Sequence, residues 1–171
     1  GEHLVQAAAK NWGLREVSLR YFNVAGTGWP ELMDVQAANL VPIVFQSLSR
    51  GESPRVFGSD FPTPDGTCVR DYVHVLDLAQ AHLAALDYLA NDNREFDVFN
   101  VGTGVGSSVL DVINEVSKVT GQPIVPAVEA RRPGDPAALK ADVRRIGNVL
   151  GWKAKYDLHD IIASVWKAQN N

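Results

Sequence analysis

The chain of 171 residues is 46% hydrophobic and 21% charged, with a formal net charge of -4, a composition typical of one folded domain and not of a disordered tail. This acidic balance argues against a nucleic-acid binder, which would show a basic face. A single cysteine forms no internal disulfide, no apolar run approaches the ~18 residues that span a membrane, and no signal peptide opens the chain, so we predict a cytoplasmic protein without a membrane partner.

The first half of the chain alternates helical and strand patterns. The helical spacing begins at residue 1 with no cap before it, which suggests the continuation of a longer helix. Asn39 is predicted to be an N-cap, and Pro42 is tolerated in the turn that follows. The elements predicted here are a helix over 1–12 ended by Gly13, a strand over 17–23, an irregular stretch over 26–38, a helix from Asn39 ended by Gly51, a strand over 54–58 and a helix over 73–92.

The second half continues this alternation. Ser108 with Asp111 three residues later resembles a capping box, and Pro126 restricts the strand in which it lies to a sheet edge. The elements predicted here are a strand over 96–102, a helix from residue 109 ended by Gly121, an edge strand over 123–130, and helices over 142–150 and 157–169. Alternating strands and helices predict an α/β fold.

A glycine cluster, NVGTGVGSSV at 100–109, stands between a strand and a helix. This is the context of a dinucleotide-binding fingerprint. The spacing departs from G-x-G-x-x-G because Ser107 stands where the third glycine belongs, and no acid lies about twenty residues downstream. We therefore favour a tight strand-to-helix turn over a cofactor loop.

The stretch GSDFPTPDGTCVRDYVHV at 58–75 places Arg70 against a short apolar run. One interpretation is a structural ion pair with Asp71 or Asp77. Adjacent side chains of an extended segment point to opposite faces, so pairing with Asp71 is poor. The other interpretation is a phosphate partner shared with Arg132, since the guanidinium fork fits phosphate oxygens.

The turn RRPGD at 131–135 lifts three charged side chains, Arg131, Arg132 and Asp135, out of regular structure. Arginine suits phosphate, and an aspartate nearby can accept hydrogen bonds from ribose hydroxyls. A solvated turn is the simpler interpretation when these five residues are considered alone.

Three uncharged residues complete the candidates. Asn23 ends a strand, where open α/β sheets place ligands. Asn39 heads a helix, where free backbone N–H groups attract anions, although capping alone explains Asn39 equally well. Phe57 in the strand RVFG offers a flat face to a nucleotide base, beside backbone that can hydrogen-bond the base edge.

Acid–base and metal chemistry have no support in the sequence. The four histidines, His3, His74, His82 and His159, are scattered along the chain. No Cys/His or carboxylate cluster has the spacing of a metal site. Cys68 is predicted to be a small packing residue and not a nucleophile.

The segments LRYFNVAG, NLVP, VFGSDFPTPDGTCVRDYVHVLDLAQAH, FNVGTGVGSSVLDV and RRPGDPAALKAD resemble, in sequence and order, the C-terminal half of the UDP-glucose 4-epimerase family of extended short-chain dehydrogenases/reductases. The resemblance covers nearly all of the chain, and Pro-Thr-x-Asp-Gly-Thr-x-Val-Arg-Asp-Tyr-x-His-Val is its most specific string. It implies the end of a Rossmann-like sheet with a small substrate domain, and NAD as a transient hydride acceptor in the interconversion of UDP-galactose and UDP-glucose.

The resemblance also implies a role for each matching residue. These are the sugar or its phosphate for Asn23; the phosphate region for Asn39 and Leu40; the uridine for Arg55, Val56 and Phe57; the diphosphate for Arg70 and Arg132; the ribose for Asp135; and the cofactor for Tyr21, Phe22 and Val24. Leu139 stands where the family often has a tyrosine that crowds the sugar 2-position, which implies that N-acetylated UDP-sugars can also be accepted.

Two features depart from the family. The segment 27–38, TGWPELMDVQAA, differs from the usual loop, and the glycine-rich NAD loop and the Tyr-x-x-x-Lys pair would lie before Gly1. The resemblance thus implies that residues 1–171 are mainly the UDP-sugar-binding part, inactive alone and short of most NAD contacts. We expect its bare strand edges to associate with a missing N-terminal segment or a second copy, as the intact family is homodimeric. The alternative is a non-catalytic nucleotide-sugar-binding module.

Overall fold

The computed structural model describes residues 1–36, 38–91 and 96–170. The helices are α1 (Glu2–Trp12), α2 (Leu40–Ser49), α3 (Val75–Asn91), α4 (Val109–Thr120), α5 (Arg144–Leu150) and α6 (Leu158–Gln169), with a short 3₁₀ helix at Pro30–Leu32. The strands are β1 (Glu16–Tyr21), β2 (Asn23–Ala25), β3 (Arg55–Phe57), β4 (Val69–His74), β5 (Phe96–Val101), β6 (Gly106–Ser108), β7 (Ala127–Glu129) and β8 (Ala138–Leu139). The α/β fold expected from the alternating pattern is confirmed.

Strand β4 is the centre of the sheet that positions the candidate site. Its second half pairs in parallel with β2, and its first half pairs antiparallel with β6 and in parallel with β8. Two further parallel pairs, β1 with β5 and β3 with β7, flank this sheet. Segments from four distant parts of the chain therefore meet along β4.

The helix boundaries follow local sequence signals. The Ser108 side chain accepts a hydrogen bond from the Asp111 amide while the Asp111 carboxylate accepts one from the Ser108 amide, so the capping box is confirmed. Helices α4 and α5 end at Gly121 and Gly151, whose φ angles of 70° and 65° lie in the left-handed region that glycine adopts without steric cost.

Several predicted boundaries are wrong because pairing between distant segments decides them. The strand over 17–23 is two strands, since β1 pairs with β5 and β2 with β4. The helix over 73–92 begins at Val75, because Val73 and His74 complete β4. The edge strand over 123–130 is only Ala127–Glu129, and the helix over 142–150 begins at Arg144. Strands β6 and β8 are too short to show an alternating pattern.

Two groups of buried side chains form the interior. The first contains Val41, Val44 and Phe45 of α2, Val56 of β3 and Tyr72 of β4, together with buried residues of α4 and α6. The second joins β5 to α3 and α5 around Phe99, Val101 and Ile146. Since β4 contributes Tyr72 to the first group and Val73 to the second, alternate side chains of one strand connect the two cores. Across the described ranges, no helix is long and apolar enough to cross a membrane.

Candidate nucleotide-sugar site

The largest group of predicted site residues lines one cavity of about 490 Å³, which we call cavity A. Its walls come from β2, the start of α2, β3, β4 and the turn after β7. The eight predicted residues in it are Asn23, Asn39, Leu40, Arg55, Phe57, Arg70, Arg132 and Asp135. Residues from positions 23 to 135 thus converge on one concave surface.

Arg70 is held by the backbone around it. Its Nη1 donates hydrogen bonds to the carbonyl oxygens of Pro136, at 2.8 Å, and Val69, at 2.9 Å. Its Nη2 lies 3.6 Å from Oδ1 of Asp135, so the predicted ion pairs with Asp71 or Asp77 are wrong and the carboxylate beside it is that of Asp135. No other hydrogen bond of Arg70 occurs within the described ranges, so Nε is available to a ligand and Nη2 has only the 3.6 Å contact with Asp135.

Arg132 also lines cavity A, in the turn that follows β7. The carbon centre of its guanidinium is 3.7 Å from the centroid of the Phe57 ring, a cation–π contact. Its neighbour Arg131 anchors the turn from outside, since it donates hydrogen bonds to the side chain and the backbone carbonyl of Asp60 and lies 4.0 Å from the Phe61 ring. Arg132 itself forms no ion pair among the residues that the structure describes, so its charge is available to an anion.

Polar groups complete the inner wall. Burial raises the pKa of Tyr72 to about 12, against the opposing effects of Arg70 and of a hydrogen bond with the Asn23 side chain, so its hydroxyl stays protonated. Asn39 occupies the N-cap position of α2 as predicted, yet its side chain forms no capping hydrogen bond. The Asn39 amide is therefore available on the cavity wall, which favours its interpretation as a ligand contact over that of a simple cap.

A second cavity of about 260 Å³, cavity B, adjoins the first. It shares Asn23 and Arg70 with cavity A and is lined in addition by Arg20, Tyr21, Phe22, Asp71, Asn100 and Leu139. Leu139 is the partner of Arg70 in the pairing of β8 with β4, and it is 51% exposed. Apart from Val24, the residues that the family resemblance assigns to the sugar and to NAD thus lie next to those that it assigns to the diphosphate.

The hydroxyl of Tyr21 has a defined partner. It lies 2.9 Å from Nε2 of His82, whose Nδ1 lies 2.8 Å from the carbonyl oxygen of Leu78. A carbonyl only accepts, so Nδ1 carries the proton, Nε2 accepts, and Tyr21 donates. The tyrosine therefore presents its ring to cavity B, while its hydroxyl is engaged with α3.

Two predicted residues do not reach these cavities with their side chains. Val56 is 1% exposed and packs in the core between Arg55 and Phe57. Val24 lines a separate cavity of about 190 Å³. Successive side chains of a strand point to opposite faces, so a ligand contacted by Phe57 meets only the backbone of Val56, and one contacted by Asn23 is on the other face from Val24.

The same alternation reveals residues of cavity A that the sequence interpretation missed. Cys68, Arg70 and Tyr72 all line it, at a spacing of two. Cys68 is 7% exposed and is a free thiol, consistent with the packing role expected for it. Other lining residues are contributed by α2 and the segment after it, namely Ile43, Ser47, Glu52 and Ser53.

The glycine cluster binds a carboxylate of the protein itself. Oδ1 of Asp71 accepts from the amide and the hydroxyl of Thr103 at 2.8 and 2.7 Å, and Oδ2 accepts from the amides of Gly104 and Ala141 at 2.9 and 3.1 Å. A Cβ at Gly102 would approach Oδ2 of Asp71 to 2.8 Å. These contacts support the tight-turn interpretation, because the amides that a phosphate would need are occupied.

Cavities A and B contain no histidine, and the described part of the chain has no cluster of His, Cys, Asp and Glu able to hold a metal ion. The cavities are lined by arginines, asparagines, carboxylates and several aromatic rings. The arginine and amide donors are of the kind that an anionic ligand accepts hydrogen bonds from.

A sequence model described as the NAD dependent epimerase/dehydratase family matches residues 1–102, more than half of the chain. The chain belongs to this family. It is 42% identical over 169 residues to UDP-glucose 4-epimerase of Corynebacterium glutamicum, covering 96% of this chain and 50% of that protein. The chain spans about half the length of the curated relatives it matches.

Solved structures of the family have the same fold over nearly the whole chain. UDP-glucose-4-epimerase from Stenotrophomonas maltophila, with bound NAD and formylated UDP-arabinopyranose, has a TM-score of 0.89 and 39% identity, covering 98% of this chain and 51% of that one. The Bifidobacterium longum enzyme in complex with NAD+ and UDP has a TM-score of 0.84 and 39% identity, and the match covers 98% of this chain and 50% of that one. The UDP-Glc/GlcNAc 4-epimerase from Campylobacter jejuni has a TM-score of 0.77 and 39% identity, covering 99% and 52%.

Proposed function

We propose that this chain is the UDP-sugar-binding part of a UDP-glucose 4-epimerase, with the nucleotide in cavity A and the sugar in cavity B. The observation that carries the proposal is the convergence of Arg70, Arg132, Asp135 and Phe57 in a single cavity that shares Arg70 with cavity B. The relatives named above support it, since two of their structures contain a UDP compound and NAD.

The diphosphate is bound between the two arginines. Arg70 contributes Nε and Nη2 from a position held by two backbone carbonyls, and Arg132 contributes its guanidinium from beside Phe57. Two charge-assisted contacts at about 1.5–3 kcal/mol each correspond to roughly millimolar binding or somewhat tighter. The rest of the affinity comes from the uridine, with its base against Phe57 and the backbone of β3 and its ribose at Asp135.

The base and Arg132 compete for the ring of Phe57. With Arg132 3.7 Å from the ring centroid, its cation already covers one face. A diphosphate attracts this guanidinium more strongly than an aromatic face does, because a full negative charge replaces a quadrupole. We propose that Arg132 moves toward the phosphates when the nucleotide binds and so frees the Phe57 ring for the uracil.

NAD meets this chain at the edge of cavity B. When bound, NAD provides the reversible hydride acceptor for the sugar C4. Tyr21 and Phe22 fit a nicotinamide neighbour because their side chains lie beside the sugar region, with the Tyr21 ring fixed through His82. Val24 is not proposed as a side-chain contact, since it lines another cavity.

The isolated chain is proposed not to catalyse epimerisation. None of its four tyrosines, Tyr21, Tyr72, Tyr88 and Tyr156, is followed by lysine four positions later, and no histidine lines cavity A or B. The purified chain is expected to show no conversion of UDP-galactose with added NAD, by a coupled assay for UDP-glucose. Turnover above the no-protein control would contradict this proposal.

Association with a further polypeptide segment or a second copy is also proposed. Strands β1 and β5 pair only with each other among the described residues, which leaves an edge on each. Leu4 and Trp12 of α1 are 76% and 74% exposed. Unpaired edges and exposed apolar side chains favour association. Sedimentation velocity is expected to show species larger than a monomer, and a well-behaved monomer at high concentration would contradict this proposal.

A second candidate substrate is an N-acetylated UDP-sugar. Leu139 leaves room in cavity B where a tyrosine would crowd the sugar 2-position, and one relative is a UDP-Glc/GlcNAc 4-epimerase. We expect Leu139→Tyr to weaken binding of UDP-GlcNAc while leaving binding of UDP-glucose nearly unchanged, by calorimetry. Equal affinities of both sugars for both variants would remove this candidate.

The central experiment measures UDP binding to the purified chain by calorimetry. Arg70→Ala and Arg132→Ala are each expected to lower the affinity about tenfold or more, as loss of a charge-assisted contact predicts. Arg144→Ala is the matched control, because Arg144 pairs with Asp142 at the surface and lines neither cavity. Unchanged affinity in both cavity variants would exclude the proposed site.

A further inference from the structure

A third cavity, which we call cavity C, lies outside the proposed nucleotide-sugar site. Its volume is about 470 Å³, close to that of cavity A. It is formed by the glycine-rich turn, α4 and the segment that leads into α6, and its lining includes Ser107, Glu115, Lys153, Lys155, Tyr156 and Asp157. It shares only Tyr72 with cavity A and no residue with cavity B.

Several hydrogen-bond donors in the lining of cavity C have no acceptor among the described residues. Neither Lys153 nor Lys155 forms an ion pair within the described part of the chain, and the hydroxyls of Ser107 and Tyr156 have no hydrogen-bond partner there. An ammonium group has three donors and no acceptor, and each hydroxyl has one donor. The wall therefore presents two positive charges and two hydroxyls without protein partners.

The acids of the same cavity are already engaged. Glu115 accepts hydrogen bonds from Nδ1 of His159, at 2.8 Å, and from Lys118, at 3.0 Å. Asp157 caps α6, with Oδ1 accepting from the Asp160 amide at 2.9 Å. Neither carboxylate forms an ion pair with Lys153 or Lys155 in the described part of the chain, so both ammonium groups are available to an anion.

The backbone that bears the lysines is fixed. The buried carboxylate of Asp77 accepts hydrogen bonds from the amides of Lys155 and Tyr156 at 3.1 Å. The Tyr156 ring packs against the buried His74 ring, with 4.5 Å between centroids. A held backbone lowers the entropy lost when a ligand orders the lysine side chains.

We propose that cavity C is a second anion site, which binds a small anion bearing several phosphate or carboxylate groups through Lys153, Lys155, Ser107 and Tyr156. Ammonium groups and hydroxyls are donors that such oxygens accept. The volume suits an organic anion and not only a single inorganic ion. The site has no counterpart to the Arg132–Phe57 pair, so its ligand needs no nucleotide base.

The test uses inorganic pyrophosphate and citrate as probes, titrated at constant ionic strength and followed by NMR of the histidine rings. His159 lines cavity C, whereas His3 and His82 line none of the three cavities. Saturable shifts of the His159 signals, without comparable shifts of His3 and His82, are expected with at least one probe. Pyrophosphate alone would identify a phosphate ligand, and citrate alone a polycarboxylate.

Variants separate this site from cavity A. The double variant Arg70→Ala/Arg132→Ala is expected to keep the His159 response, and so is each single variant, which covers the case that the double variant does not fold. The proposal therefore stands or falls independently of UDP binding.

Charge removal in cavity C is the decisive step. Lys153→Ala/Lys155→Ala is expected to lower the affinity for the probe about tenfold or more. Lys10→Ala/Lys167→Ala is the matched control at exposed positions outside the three cavities, and it is expected to leave the affinity unchanged. Absence of a saturable response to either probe, or an unchanged response after removal of Lys153 and Lys155, would overturn the proposal.

Discussion

The guanidinium of Arg132 lies 3.7 Å from the centroid of the Phe57 ring, which connects the predicted phosphate-binding turn to the predicted base-binding strand. Strand β7 pairs in parallel with β3 and so fixes the position of the turn that follows it. A single contact therefore unites two parts of the site that are 75 residues apart in the sequence.

Arg132→Lys tests this contact. Lysine keeps the charge but loses the planar fork that can contact two phosphate oxygens at once, so we expect UDP affinity to fall about tenfold, or about 1.4 kcal/mol. Calorimetry measures it, with Arg144→Lys as a control of equal chemistry outside the cavity. An affinity equal to wild type would show that charge alone is sufficient.

Asp71→Asn tests the carboxylate beneath the glycine-rich turn. Asp71 is fully buried and accepts four hydrogen bonds, three from backbone amides. The new NH₂ group would face N–H donors, so we expect a loss of about 2–4 kcal/mol in the free energy of unfolding. Urea denaturation measures the loss. The exposed Asp87→Asn on α3 is expected to stay within about 0.5 kcal/mol of wild type, and a similar value for Asp71→Asn would refute the structural role.

Two capping boxes allow a paired measurement. Ser108 caps α4, is 4% exposed and also donates to the Asp65 carboxylate, whereas Asp157 caps α6 at an exposed position. Loss of a cap costs about 0.5–2 kcal/mol. We expect the loss of stability in Ser108→Ala to lie at or above the upper end of this range, because Asp65 also loses a hydrogen-bond partner. The loss in Asp157→Ala is expected near the lower end. Thermal unfolding of the two variants measures both losses. A larger loss in Asp157→Ala than in Ser108→Ala would contradict the hydrogen bonds assigned to Ser108.

His74 predicts a dependence of stability on pH. Burial lowers the pKa of His74 below its ordinary value of 6.5, despite the opposing charges of Asp77 and Asp160. Its Nδ1 accepts from the Leu76 amide, so Nε2–H donates to the Ser164 hydroxyl, and a second proton would oppose the Leu76 bond. The unfolded chain then binds more protons than the folded one as the pH falls through about 6.5, and this contribution to stability is lost.

The measurement compares wild type with His74→Gln between about pH 7.5 and pH 5.5. We expect the free energy of unfolding to fall more steeply in wild type, since only wild type carries the buried imidazole. The comparison is necessary because the Glu115 carboxylate raises the pKa of His159, which gives an opposite contribution in both proteins. Parallel pH profiles would show that His74 is not held neutral.

Local signals predicted helix ends well and strand ends poorly. The capping box at Ser108 and the stop at Gly151 are confirmed because a cap depends on residues within a few positions of each other. The last two residues of β4, Val73 and His74, lie inside the helix predicted over 73–92. The pairing of β4 with β2, β6 and β8, three segments far apart in the chain, determines its conformation.

The candidate site shows the same division. The residue types of the phosphate interpretation, Arg70, Arg132 and Asp135, were evident from the sequence and lie together. The side chains of Val24 and Val56 do not reach the cavities because successive side chains of a strand point to opposite faces. A family resemblance assigns roles by position and does not take this alternation into account. The partner of Arg70 was not predictable, because Asp135 comes close to it only through the β8–β4 pairing.

The sequence by itself determined the α/β order of elements, the helix caps, the residues proposed to bind a diphosphate and the resemblance to a family. Each of these depends on residue type and local spacing. Only the tertiary structure decided that Asp71 occupies the glycine-rich turn, that Arg132 covers Phe57 and that Lys153 and Lys155 line a separate cavity. Those facts depend on which face of each strand is buried and on which distant segments pair, and non-local packing settles both.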